Sequence, residues 1–226
     1  MKFWQKKYKC PVIFNPEFLT EAQAWENTIF PDRQIVAASL GVRVAAAAIL
    51  NLLPLAPFSA PRHKKAENWT EMNPTEAELG KYAANTFGAL KVTFANIFYD
   101  LAKAMEIKLQ KNNIKSKVSY ENVRQVLVYD RRIGPSWLDA YRGDYRGYGG
   151  YCFPKDTDAI MAEMADLIKS APVGNTRLLL AKGLKVFRAM RDYNRTLLAS
   201  QDLSPDDVRR HDKELAKLIK NKRNKK

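Results

Sequence analysis

From Thr75 to about Asn112 the chain repeats apolar residues at three- and four-residue steps: Leu79, Tyr82, Ala83, Phe87, Leu90, Phe94, Ile97, Phe98, Leu101 and Met105. That spacing belongs to an α-helix. A helix of about 30 residues is ~45 Å long, and a rod of that length with apolar residues on more than one side has to be covered by more than one partner. Thr75-Glu76-Ala77-Glu78 reads as its capping box, Thr75 bonding the amide of Glu78 while the Glu78 carboxylate reaches back. The helix is therefore expected to open at Thr75.

Upstream the pattern changes. Val12-Ile13-Phe14 is a short apolar run stopped by Asn15-Pro16, which reads as a buried strand presenting Glu17 at its carboxyl end. Gln34 to Ala38 reads as a second strand, and residues 42–53 as a helix packed on the sheet. Residues 61–74 are polar and irregular. Downstream, Ser119 caps a short helix, residues 157–168 and 175–200 give two amphipathic helices, and Ser204-Pro205-Asp206-Asp207 opens a last one. The fold class is mainly α, a helical domain built on the long central helix and preceded by a partial α/β segment.

Composition excludes several classes. No apolar run approaches the ~20 residues of a membrane span, and Ala45 to Leu53, closed by Pro54, reads as a buried helix. The start of the chain lacks the apolar core of a signal peptide. With only Cys10 and Cys152 no disulfide framework is expected, a cytoplasmic location is the default, and no metal site is assigned. Much of the excess behind the net charge of +14 lies in the tail from Lys213 to Lys226. A solvated helix end explains that tail better than nucleic-acid binding, because no aromatic residues interleave with the charges.

The chemistry points to Arg146-Gly147-Tyr148-Gly149-Gly150-Tyr151-Cys152-Phe153-Pro154-Lys155-Asp156-Thr157. A cysteine set between a glycine-rich loop and a helix N-terminus, with Lys155 nearby, has its thiolate favoured. The glycines let backbone approach a ligand. Read from these residues alone, an inert buried cysteine beside a helix cap stays open.

Four blocks resemble the UDP-glucose/GDP-mannose dehydrogenase family in the family's order: Asn15-Pro16-Glu17-Phe18-Leu19-Thr20-Glu21-Ala22, Ala77 to Phe87, Arg132-Ile133-Gly134, and Gly147 to Thr157. The resemblance implies NAD-dependent oxidation of a nucleotide-sugar alcohol in two steps, on the UDP-glucose side of the family. By matching position Cys152 captures the intermediate aldehyde as a thiohemiacetal that becomes a thioester. Lys81 stabilises oxyanion character, Asn85 orients the reacting hydroxyl, and Glu17 moves a proton through water. Asp156 positions a base or water, with an N-cap role equally open. Phe18, Leu19, Arg132, Tyr145, Arg146, Gly147, Tyr148 and Gly149 match substrate positions, with Arg132 reaching across a homodimer made through the long helix. Glu21 and Lys155 match cofactor-contacting positions.

The departures also matter. Ala22 stands where the family has glycine, and the stretch between Arg132 and Cys152 is several residues longer than in shorter members. No G-x-G-x-x-G fingerprint occurs. The expected organisation is a C-terminal remnant of the Rossmann-type NAD-binding domain over 1–60, a linker over 61–74, the helical dimerisation domain with the catalytic cysteine over 75–202, and a basic helix and tail over 203–226. That describes a truncated or split enzyme needing a separate NAD-binding domain; a non-catalytic dimerisation scaffold is the alternative.

Overall fold

The structure, a computed structural model, describes residues 2–20, 23–63, 66–209 and 212–223. It divides into two compact units, Met1–Ala83 and Ala84–Lys226.

The first unit is a small α/β layer. Strands β1 (Arg33–Ile35), β2 (Phe58–Ala60) and β3 (Asn68–Trp69) form a parallel sheet in that order, with Arg33 opposite Phe58 and Phe58 opposite Asn68. Helices α1 (Lys2–Tyr8) and α2 (Ala24–Ile29) precede the sheet, and α3 (Arg43–Leu50) lies between β1 and β2 in the chain. The two-residue period of a strand sorts the core. Val36 and Ala38 join Ala46 and Leu50 in one cluster, while Ile35 and Ala37 join Ala60 and Ala77 in another.

Residues 12–14 form a single antiparallel bridge, Phe14 to Ala37, rather than the expected strand. The Asn15 side chain takes the Ile35 carbonyl at 2.6 Å, and Pro16 prevents further pairing. The polar stretch expected to be irregular contributes β3, held by Asn68 N–H to the Pro57 carbonyl and Thr70 N–H to the Ser59 carbonyl. Exposed Asn68 and Trp69 carry no apolar alternation to mark a strand.

The long helix α4 spans Pro74–Lys111, 38 residues. Its cap sits two residues before the expected one. The Asn73 Oδ1 accepts from the Glu76 amide at 3.0 Å and the Glu76 carboxylate accepts from the Asn73 amide at 2.7 Å, with Pro74 at the first helical position.

The second unit is helical. After α4 come α5 (Tyr120–Val128), a hairpin of β4 (Tyr141–Arg142) and β5 (Tyr145–Arg146), α6 (Cys152–Ser170), α7 (Asn175–Ala199), a 3₁₀ turn (Asp207–Arg209) and α8 (Asp212–Arg223). Helices α6 and α7 pack through Met161, Met164 and Leu184. Small residues bring α4 close to its neighbours, Ala95 and Ala102 packing with Tyr120 and Ala140. Phe87, Leu90, Phe94, Ile97, Leu101 and Met105 remain exposed along the same helix.

The C-terminal segment folds onto the hairpin. Tyr145 and Leu198 share a core with Leu203, Val208, Leu215 and Ile219. Ser204 and Asp207 cap each other as expected, at 2.8 and 3.1 Å, and open the 3₁₀ turn before the helix proper begins. Burial pushes the Asp207 carboxyl up, but its bonds to Lys222 and Ser204 outweigh that and hold it below the usual carboxylate value. Lys222, one of the basic tail residues, is thereby tied to the fold.

Candidate active site

In the first unit the chain after Pro16 turns so that Glu17 reaches the start of α4. One carboxylate oxygen accepts from the Leu19 amide, and the other lies 3.3 Å from Lys81 Nζ. Two candidates 64 residues apart are thus joined. Lys81 keeps 23% of its side chain exposed, and its contact with Glu17 lies at the surface. Phe18 lies under the Arg33 guanidinium at 4.3 Å, and Leu19 is at the surface. Glu21 lies outside the described residues.

In the second unit Cys152 is the first residue of α6, five positions earlier than the expected helix start at Thr157. Pro154 is the reason the expectation failed. It looks like a breaker, yet within the first turn its missing N–H breaks no intrahelical bond. Cys152 is half-buried and packs on a cluster of Ala89, Val92, Tyr148, Phe153 and Met190.

Because the helix starts earlier, Asp156 lies inside it and is not its N-cap. It stands four residues, about one turn, after Cys152 and so on the same face. The carboxylate is fully buried, accepting from Asn85 Nδ2 at 2.5 Å and from the Lys155 ammonium. A buried carboxylate persists only with such partners. Gly88, one turn beyond Asn85, is required for close approach: a Cβ there would sit 2.5 Å from the Phe153 ring.

The glycine-rich loop is packed rather than open. Gly147 has φ +103°, in the region that favours glycine, and a Cβ on Gly149 would lie 2.5 Å from the Tyr145 hydroxyl and 2.7 Å from Val208. The Gly150 amide donates to the Val208 carbonyl at 2.6 Å. Tyr148 is buried, which pushes its phenol well above the ordinary value. Tyr145 is buried in the C-terminal core. Arg146 turns onto α4, bonding Asn96 at 3.0 Å and Asp100 at 2.8 Å with its guanidinium over the Tyr99 ring. Arg132 is 89% exposed and pairs with Asp130 at 2.7 Å.

Three residues near the loop escape the sequence reading. Trp137 adopts φ +63° and packs edge-on against Phe153, with nothing in its surroundings in the chain to signal it. Asn194 and Gln201 bond the loop backbone. Asn194 carries a faint signal, a polar residue at a buried position of α7 between Met190 and Leu197.

The described residues do not make a dinucleotide cradle. The stretch 36–42 between β1 and α3 has a single glycine, Gly41, and the Lys155 ammonium is held by Asp156. Among the described residues no group of three or more His, Cys, Asp or Glu could hold a metal, and no helix is long and apolar enough to cross a membrane.

Residues 75–176 match the model of the UDP-glucose/GDP-mannose dehydrogenase family, central domain. The chain is 35% identical over 157 residues to a UDP-glucose 6-dehydrogenase of Pseudomonas aeruginosa, covering 70% of this chain and 30% of that protein. It is 36% identical over 155 residues to one from Bacillus subtilis, covering 69% and 28%. A UDP-glucose dehydrogenase structure from Pyrobaculum islandicum superposes with a TM-score of 0.55 at 31% identity, over 84% of this chain and 37% of that one. The chain therefore spans about a third or less of the length of these relatives. The family model, the sequence relatives and the shared fold all point to one family, so the chain belongs to the UDP-glucose/GDP-mannose dehydrogenase family, a family of oxidoreductases.

Proposed function

We propose that this chain carries the thiol chemistry of a nucleotide-sugar dehydrogenase of the UDP-glucose 6-dehydrogenase type. The observation that supports this most is the buried Asp156 carboxylate, one helical turn from Cys152 and bonded to Asn85. A structural helix end has no need of a buried charge, whereas a cysteine that must attack, form an acyl adduct and release it needs fixed polar groups around it.

The Cys152 sulfur adds to the C6 carbonyl carbon of the sugar aldehyde and the carbonyl oxygen takes up a proton, which retains a reactive intermediate as a thiohemiacetal. At the acyl stage, water attacks the thioester carbonyl and the thiol is regenerated. Asn85 orients the reacting hydroxyl and Asp156 holds a base or water. Lys81 stabilises oxyanion character, and Glu17 relays a proton through water. Phe18 and Leu19 in the first unit, and Arg132 in the second, are the candidates for contacting the nucleotide sugar. Tyr145 to Gly149 match substrate positions by resemblance but are packed into the fold, so their part is to support the loop. Glu21 and Lys155 match cofactor-contacting positions of the family by resemblance, Glu21 lying outside the described residues and Lys155 being engaged by Asp156. The family's hydride acceptor is NAD, and the described residues do not hold it by themselves. Its main binding surface belongs to another domain.

The test is alkylation of Cys152 and Cys10 against pH, followed by mass spectrometry, with exposed Cys10 as internal control. Cys152 should react faster at neutral pH despite being half-buried, and Asn85→Ala should slow it. A Cys152 that reacts more slowly than Cys10 at every pH would favour the scaffold reading.

The exposed stripe on α4, at three- and four-residue steps, supports a homodimer through this helix. Light scattering should give twice the 25.8 kDa chain mass, and Phe94→Glu should return it to one chain. A wild-type monomer would remove the proposed role of Arg132 across the interface.

A further inference from the structure

Two carboxamides hold the loop that leads into Cys152. Asn194 Oδ1 accepts from the Tyr148 amide at 2.8 Å, and its Nδ2 donates to the carbonyl of the same residue at 3.0 Å. Gln201 repeats the arrangement on Arg146: its Oε1 accepts from that amide at 2.8 Å and its Nε2 donates to that carbonyl at 3.0 Å. Each side chain engages both backbone groups of one residue, as a neighbouring strand would. Val208 extends the row by accepting from Gly150, so residues 146, 148 and 150 are all tied to the C-terminal half of the chain.

Only a carboxamide satisfies this pattern. It offers one acceptor and a donor side by side, whereas a carboxylate lacks the donor and an alkyl group lacks both. The glycine between the clamped residues is part of the same device. A Cβ on Gly147 would lie 2.6 Å from Asn194 Oδ1, and its φ of +103° would strain any other residue. Asn194 is only 6% exposed, so either half of its amide left unmade would be a buried orphan.

The clamp acts on Cys152 through two routes. Tyr148 packs in the same cluster as Cys152 and Phe153. The loop also reaches Cys152 after only Gly149, Gly150 and Tyr151, so its register sets how the chain enters α6. We infer that Asn194 and Gln201 are positioning residues, which fix the glycine-rich loop by its backbone and thereby set the orientation of the Cys152 thiol at the start of α6. This rests on the reading of Cys152 as the reactive thiol.

The experiment uses the full chain with Asn194→Ala, Asn194→Asp and Gln201→Ala, the last being the milder change should the buried site not tolerate alanine. Two quantities are read in variants whose circular dichroism matches wild type: hydrogen exchange of the Arg146 and Tyr148 amides, and the ratio of Cys152 to Cys10 alkylation rates. Loss of one clamp should speed exchange at its own residue by about tenfold. It should also change the alkylation ratio by about fivefold or more and displace the pH midpoint of Cys152 labelling. Asn194→Asp, which keeps the acceptor for the Tyr148 amide, should lose less of that amide's protection than Asn194→Ala. Faster exchange with an unchanged alkylation ratio and midpoint would reduce the clamp to a stability feature and overturn the inference. If wild-type Cys152 does not outpace Cys10, the thiol reading fails and the positioning role fails with it. A fast Cys152 indifferent to all three substitutions overturns the positioning role alone.

Discussion

Gly149→Ala should destabilise the chain by about 3 kcal/mol, at the upper end of what overpacking a filled site costs. The added methyl would fall 2.5 Å from the Tyr145 hydroxyl, 2.7 Å from the Val208 Cβ and 2.8 Å from the Val208 carbonyl oxygen. Backbone cannot swing away as the end of a lysine could, and Val208 is only 1% exposed within the core made by Leu198, Leu203, Leu215 and Ile219. At this chain length about 3 kcal/mol corresponds to a fall in Tm of roughly 6–12 °C. Gly80→Ala provides the control. Nothing lies within 4 Å of a Cβ there, the position is inside α4, and removing helical glycine should stabilise by up to about 1 kcal/mol. Urea unfolding of both variants checks the pair, and equal effects of one sign would contradict the packing described for the loop.

Asn85→Ala should cost about 2–3 kcal/mol, well above the typical surface substitution, because it takes a hydrogen bond from a carboxylate with no exposure to water. Among the described contacts Lys155 remains, with 46% of its side chain exposed, so that ion pair is screened by water. Asn85→Asp should be worse, since two carboxylates would then share the site. Chemical denaturation at pH 7 reads both. A loss below about 0.5 kcal/mol for Asn85→Ala would mean that the Asp156 charge is satisfied without it.

The parts of this fold legible in the sequence are those with a period. The α4 stripe, the amphipathic α7 and the Ser204 to Asp207 cap all follow from local spacing. Where two local solutions compete, sequence alone does not choose. Asn73 to Glu76 and Thr75 to Glu78 are both capping patterns, and Pro74 at the first helical position is what favours the earlier one. Pro154 misleads in the opposite direction, since a proline near a helix start reads as a stop until the start is known to be Cys152.

The candidate site residues come from motifs that resemble the family's, and that resemblance carries no information about their orientations. Arg146 facing Asn96 and Asp100, Tyr145 in the C-terminal core and Arg132 out in solvent depend on contacts across many residues of chain. The carboxamide clamps are of the same kind. Side-chain bonds to backbone 46 and 55 residues away leave no spacing to read.

The claim that Cys152 captures a sugar aldehyde is tested most directly by supplying that aldehyde. The chain is incubated with the 6-aldehyde of UDP-glucose, or with UDP-glucose itself, and the alkylation of Cys152 and Cys10 is followed by mass spectrometry. The aldehyde should protect Cys152 in a saturable and reversible way, UDP-glucose should protect it less, and Cys10 should react unchanged in both. Equal protection of the two cysteines, or none of Cys152 at saturating aldehyde, would contradict the account.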